Sequence, residues 1–512
     1  MLSLTEKQKI TFANEYSEKF FILFFNISSI QKNYSHDTIS IYDNSKNSWF
    51  NFIGSLTNEL KFDLSFQLEN NSYNMPSIPL SIIEDRIDLI SLAKSLAINF
   101  SEFELYFITN ELSIDEALPL MKGIVGIDQI DIINEPYSMS LVSIDDKYDK
   151  VFPPLILSTT LSWVNLTNDA EKYIGESVPI VYGFIENPGF PIPIFYDDLT
   201  TRKWAICNHQ ITDLSGLQIL ADGVVISNSF YTLNYDSVNN VHQLIVDVNT
   251  NYQTYFKGKK ITCVCKGLLY NSANPSIGNV VLHMLQNYSN LDASLIDTQG
   301  INTHSVYLSI YKVARFFNSS STVFETIKEL SSEFPFIFSN SGFAKTIICV
   351  DSNYIPYTFE LLKYKHWLER IKGIRISKHT SMYSKLNAKY KYDALNNRWK
   401  GYDFIDEANN TNCANLQSKI GGLVKDKEPF ELYSVSEYTT ARSILNYKSI
   451  IHSIPKFIMT YKCKHNCIVL ELGDGVLLTD EELNIYRKKF IVIDKNISRD
   501  FIYFTIVNVE NL

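Results

Sequence analysis

The run Ser177–Asp198 constrains this chain more than any other stretch. It sets four prolines (Pro179, Pro188, Pro191, Pro193) and two glycines (Gly183, Gly189) among apolar and aromatic side chains. Proline has no N–H to offer a sheet ladder, so such a run reads as short extended pieces that turn often. Upstream the hydrophobic pattern is poorly resolved, whereas downstream strands and helices are easy to read. The run is therefore either the seam between two domains or the opening strand of the second.

A chain of 512 residues is too long for one core and should form roughly three or four domains. Its 45% hydrophobic content is ample for burial, and 31 Tyr with 32 Phe favour strands over helices. The net charge of −10 argues against a nucleic-acid grip, which needs clustered Lys and Arg. The densest basic patch, Lys363 to Lys378, is broken by apolar residues. An acidic protein can still surround DNA, because like charge prevents sticking.

Seven cysteines (Cys207, Cys263, Cys265, Cys349, Cys413, Cys463, Cys467) form an odd, irregularly spaced set and no disulfide framework. Folding in a reducing compartment is the simpler reading. The polar start, Met1-Leu-Ser-Leu-Thr-Glu-Lys, does not read as a signal peptide. The apolar run Phe20–Phe25 is far too short to span a bilayer, so it is expected to be a buried strand, with no stable membrane insertion.

Residues 1–170 are expected to be β-rich, a small barrel or sandwich. Phe62, Leu64, Phe66 and Leu68 alternate with polar residues, and short strands are expected at Phe103–Ile108, Lys122–Ile127 and Ser138–Ser143. Residues Ile82–Ile98 fit either a helix or a strand. Residues 171–268 are read as a β domain, with strands at Trp204–Cys207, Leu217–Leu220, Val224–Ile226, Gln243–Val248 and Lys260–Lys266. Asp222-Gly223 is a type I′ hairpin signal between two of them.

Residues 269–380 read as α+β. Ile277, Val281, Met284, Leu285 and Tyr288 make a helical stripe. Thr322-Val-Phe-Glu325 is a capping box opening a second helix, and a hairpin follows with its turn at Ser339–Gly342. Residues 381–512 are read as a compact C-terminal barrel with one helix at about Glu437–Ile451, capped by Ser436 and ended by Pro455. Its strands are expected at Lys456–Lys464 and Ile468–Leu472, then a hairpin of Phe490–Ile493 with Phe501–Val509. The fold class is thus mostly β with an α+β insertion, multidomain, with two small barrels at the ends.

Chemistry-bearing patterns are sparse. Cys463-Lys-His-Asn-Cys467 is the one dense Cys/His cluster, but no second pair follows at zinc spacing, so a hairpin tip is the plain reading. Cys263 and Cys265 share one strand face and read as small buried residues. Cys207-Asn-His209 suggests a nucleophile and base, yet neighbours on a strand are expected to point apart. Gly473-Asp-Gly475 lacks the Lys-Ser/Thr of a phosphate loop and reads as a turn. Asp197-Asp198 is the most visible carboxylate pair and reads as a polar turn, although glycosidase-type pairs among 56 acidic residues are invisible to spacing alone. Aromatic and basic residues interleave from Tyr383 to Trp399, a mixture suited to sugars or nucleic acid, though a strand pair turning at Asn396-Asn397 is the plainer reading. No catalytic, cofactor-binding or metal-binding residue is assigned, and no cofactor is expected.

The order of segments resembles that of tail and baseplate hub proteins of tailed phages and prophages. Val178-Pro-Ile-Val-Tyr-Gly-Phe-Ile-Glu-Asn187 looks like a segment of those proteins. The Asp222-Gly223 hairpin follows, then Ile261-Thr-Cys-Val-Cys-Lys-Gly267, the helix Ile277–Tyr288, Ile296-Asp297 and the capped helix at Thr322. Lys389-Tyr-Lys-Tyr-Asp393, the helix around Ala441 and Leu472-Gly-Asp-Gly-Val476 complete the order. The similarity covers about residues 100–512 and lies in the order of short motifs.

What the resemblance implies is a non-enzymatic structural hub at the distal end of the tail tube of a virion, made in the host cytoplasm. Such hubs are usually homotrimers with two tube-like barrels per subunit, here residues 1–170 and 381–512. They contact the tail tube and other tail, baseplate or fibre proteins, and DNA passes their lumen without specific binding. A hexameric distal tail ring, a host-glycan-binding tail component and a tail-borne cell-wall hydrolase are the alternatives.

Overall fold

In the computed structural model, which describes residues 4–27, 30–54, 56, 60–74, 78–82, 101–126, 137–143, 145–247, 249–376 and 381–511, the run Phe20–Phe25 lies in the middle of a sheet. The first part of the chain supplies β1 (Lys19–Ile27), β2 (Ile30–Ser35), β3 (Ile39–Asp43), β4 (Ser48–Gly54), β5 (Phe62–Gln67), β6 (Ser72–Asn74), β7 (Ile78–Ile82), β8 (Glu102–Thr109), β9 (Leu118–Gly126) and β10 (Tyr137–Ser143). Eight of these form one sheet in the order β3-β4-β2-β1-β8-β9-β10-β7. Phe20 through Phe25 are all buried, because both faces of β1 are covered. Phe24 meets Phe52 and Tyr106 at 5.3 and 5.6 Å. On the other side helix α1 (Glu6–Ala13), opened by a capping box at Thr5, stacks Phe12 on Phe107 at 5.7 Å. Most of the segment Ile82–Ile98 lies outside the described residues.

The next part begins with β11 (Val151–Phe152) and continues through β12 (Ile180–Tyr182), β13 (Phe184–Pro191), β14 (Ile194–Asp197), β15 (Arg202–Cys207), β16 (Gln218–Ala221), β17 (Val224–Val225), β18 (Thr232–Asp236), β19 (Val241–Val246) and β20 (Ile261–Lys266). Two four-stranded sheets, β13-β20-β16-β17 and β14-β15-β19-β18, share an apolar cluster around Phe190, Trp204, Leu244 and Cys263. That cluster is separate from the one that runs through the rest of the chain. Asp222 and Gly223 join β16 to β17 with φ of +47° and +82°, the left-handed pair a type I′ turn requires.

Helices α2 (Ile277–Tyr288) and α3 (Thr298–Tyr307) follow, with β21 (Arg315–Phe317), β22 (Ser321–Thr322) and α4 (Val323–Glu333). The stripe of α2 is buried as its spacing requires, and the Thr322–Glu325 capping box of α4 is formed. Helix α3 was not legible, because only Ile301 of its ten residues is buried. The hairpin of β23 (Phe336–Ser341) and β24 (Ala344–Cys349) pairs Ser341 with Ala344, so it turns at Gly342-Phe343, later than the spacing indicated.

The last part holds β25 (Phe359–Leu361), β26 (Trp367–Ile376), β27 (Leu386–Asp393), β28 (Arg398–Ile405), β29 (Phe430–Leu432), β30 (Phe457–Cys463), β31 (Gly475–Asp480), β32 (Ile485–Ile497) and β33 (Ile502–Asn508), with helices α5 (Thr411–Lys419) and α6 (Tyr438–Ser453). Six of these strands run β25-β31-β32-β33-β30-β26, and β28-β27-β29 form a small second sheet. β5 from the first part pairs with the second half of β32, matching Ser65 with Asp494 and Phe62 with Ile497. The two ends of the chain thereby share one eight-stranded sheet.

Three expectations are corrected here. Ile468–Leu472 is no strand: it is a buried turn, and the carbonyls of Ile468 and Leu470 accept from Lys495 Nζ (2.9 and 2.6 Å) instead of a ladder partner. Ser436 does not cap α6. The helix starts one residue later behind Glu437, and the Ser436 hydroxyl takes a hydrogen bond from Asn274 (3.3 Å). The last hairpin turns at Ser498–Phe501, because residues 494–497 remain laddered between β33 and β5.

The chain is mostly β with helical insertions and multidomain, as its composition implies. Among the described residues, however, neither eight-stranded sheet closes into a barrel. Closure needs the terminal strands to pair, and β3 and β7 stand at opposite ends of one sheet. In the other, the long β32 divides its edge between β31 and β5, so the sheet branches. Among the described residues no helix is long and apolar enough to cross a membrane.

Candidate functional site

The run Ser177–Asp198 resolves into β12, β13 and β14, and its β12 is stitched into both apolar clusters. Ile180 and Tyr182 belong to the main one, while Val181 between them belongs to that of residues 157–265. Alternation along one strand puts neighbours on opposite faces, so a three-residue strand serves two interiors. β12 pairs with β21, Ile180 opposite Phe317, and the Tyr182 hydroxyl lies 3.0 Å from His283 Nδ1 of α2. Gly183 follows at φ +69°, and a Cβ there would lie 2.3 Å from the Val313 carbonyl, so only glycine fits. The run thus contributes to both apolar clusters.

A cleft of about 190 Å³ opens where β13 faces β27 and β21. Across it Lys391 forms an ion pair with Glu186, and Lys400 Nζ donates to the Asn187 carbonyl at 3.0 Å. Asp393, buried at its floor, sits 3.5 Å from Lys400 and 3.6 Å from Arg398. Burial pushes its carboxyl up, but hydrogen bonds from Asn396 and the charge of Lys400 outweigh that and hold it below the ordinary range. Beside the cleft, Tyr392, Trp399 and Tyr433 gather with ring centroids 4.7–5.0 Å apart. The stretch Tyr383–Trp399 is the strand pair β27–β28 with its turn at Asn396-Asn397, Asn397 at φ +48°.

A second cleft, about 640 Å³, is lined by Asp297, Glu471 and Asp474, together with His304 and Thr346. Spacing could not pair these carboxylates, which come from the cap of α3 and the turn before β31. Asp297 accepts from Gly300 N (2.8 Å) and Asp474 from Glu471 N (2.8 Å), so each spends an oxygen on the backbone. Burial raises Glu471 to about 7 and lowers His304 to about 4. Gly473 N donates to the Val492 carbonyl (2.8 Å), so Gly473-Asp-Gly475 is a turn whose donor is committed within the fold.

The remaining candidates are interior. Cys207 and His209 are two apart and do meet, Sγ to Nδ1 at 3.7 Å, contrary to the expectation that they point apart. Nδ1 is spent on the Gln210 carbonyl (3.2 Å), however, and Nε2 accepts from Val181 N (3.3 Å). Burial pushes the thiol far up and the imidazole down to about 4, both of which disfavour a thiolate–imidazolium pair. Cys463, His465 and Cys467 are buried, with His465 Nε2 at 3.2 Å from the Ser498 carbonyl. That segment is a packed turn under α1 rather than a hairpin tip, since among the described residues β30 pairs with β26 and β33 and not with the strand that follows. Among the described residues no group of three or more His, Cys, Asp or Glu is placed to hold a metal. Asp197 pairs with Arg202 at 2.6 Å, and Asp198 accepts from Thr200 N and Thr201 N (both 2.7 Å), the polar turn expected.

No family model matches the chain, and no curated protein matches its sequence. Among solved structures, a chain from the "Virion of native gene transfer agent (GTA) particle" is similar over 66% of this chain and 85% of its own length, with 10% sequence identity and a TM-score of 0.41.

Proposed function

We propose that the chain is a non-enzymatic structural subunit of a phage-type particle, acting as a hub at the distal end of a tail tube. The observation that carries the reading is the β5–β32 pairing. It sets a β module from each end of the chain side by side, as a subunit filling two adjacent positions of a ring requires. The order of short motifs from Val178 to Val476 and the acidic balance support the same reading, because a channel that passes DNA should repel phosphate rather than grip it.

The partners under this reading are further copies of the chain, the tail tube, and the neighbouring baseplate or fibre proteins. The test is the mass of the purified full-length protein by light scattering, with labelling of particles by an antibody against it. A trimer, with label at one tail tip, is the expected result. A hexamer would move the reading to a distal tail ring. A strict monomer that labels no particle would remove it.

A further inference from the structure

We infer that the cleft beside the proline-rich joint, with the Tyr392–Trp399–Tyr433 cluster at its rim, is a binding site for a neutral saccharide. The three rings come from β27, β28 and the residue after β29, so folding alone assembles them. They are not core: Trp204 and Trp367 are 1% exposed, whereas Tyr433 is 41% exposed and Tyr392 and Trp399 are half-buried. Nor are they loose. The Tyr392 hydroxyl donates to Asn397 at 2.5 Å and that of Tyr433 to Glu431 at 3.1 Å, which fixes the ring planes before any ligand arrives and lowers the ordering cost of binding.

The ligand class follows from the mixture. A sugar ring offers an apolar C–H face and a rim of hydroxyls, and the site offers half-exposed rings next to paired side chains of both signs. Glu186, Lys391 and Lys400 already pair across the cleft, and their remaining lone pairs and N–H groups suit vicinal hydroxyls, which both donate and accept. A nucleic acid fits poorly, because Glu186, Asp393 and Glu431 stand beside the lysines and the whole chain carries −10. The cleft is small, near 190 Å³, so one sugar unit is placed in it and the neighbouring units against the rings.

The experiment titrates the full-length protein with neutral oligosaccharides (chitohexaose, maltohexaose, xylohexaose and a galactan hexasaccharide), following tryptophan fluorescence and calorimetry. Saturable binding of at least one is expected, weakened about tenfold or more by Trp399→Ala or Tyr433→Ala. Trp399→Phe should keep part of the affinity, and Tyr364→Ala, which removes an exposed ring elsewhere, should leave it unchanged. Lys391→Ala, which spares the rings, keeps the test open where a ring variant fails to fold. No saturable binding up to about 10 mM across the panel overturns the inference. So does binding that is indifferent to Trp399 and Lys391, or preferential binding of single-stranded DNA. The hub reading is judged separately, by oligomeric mass and particle labelling.

Discussion

Lys456 is 6% exposed, with Nζ donating to the Asn508 carbonyl at 3.0 Å, and burial lowers its pKa to about 7. Between pH 7 and the ordinary lysine value, the unfolded chain holds a proton that the folded chain has released, so this residue makes stability rise with pH across that window. Lys456→Met should flatten the rise by up to about 4 kcal/mol, read from urea unfolding at pH 7 and pH 10. Parallel curves for the two proteins would mean that the amine stays charged in the interior. Such residues are illegible in a sequence. Lys495 follows the strand expected at Phe490–Ile493, yet it lies in β32 with its Nζ on two carbonyls of the Ile468–Leu472 turn. A lysine at a polar position of an alternating pattern looks solvated until the segment that covers it is known.

Elements whose signal is periodic or local were legible. The Thr322 hydroxyl accepts from Glu325 N at 3.3 Å, and Glu325 reaches back to Thr322 N, as the four-residue pattern implied. Thr322→Ala should cost about 1 kcal/mol, measured as a lower urea midpoint with unchanged slope, whereas Thr322→Ser should cost little. Helices α3 and α5 leave little periodic signal because each buries a short stripe, Ile301 alone in one and Cys413, Leu416 and Gln417 in the other. The ring cluster was half legible: Tyr392 and Trp399 belong to the aromatic stretch already marked in the sequence. Tyr433 arrives through the parallel pairing of β27 with β29, which no spacing rule reveals.

For the whole molecule the decisive contact joins the two ends of the chain. Ser65 has Asp494 on one side and Asn74 on the other, so a proline there removes a backbone donor between two partners. Ser65→Pro should lower stability by about 1–3 kcal/mol. It should also raise hydrogen exchange together in β5 and in the Asp494–Ile497 half of β32, while the sheets of residues 184–266 keep their protection. Exchange confined to β5 would show that the two ends do not depend on each other. Only pattern was visible at this scale. The alternation at Phe62–Leu68 announced a strand, but which strand it meets depends on folding that brings distant segments together. A β12 that has one interior on Ile180 and Tyr182 and another on Val181 is a pin driven through two blocks. A torque on either block is resisted as shear along three residues packed on both faces, so the blocks turn as one piece or come apart by losing both interiors at once.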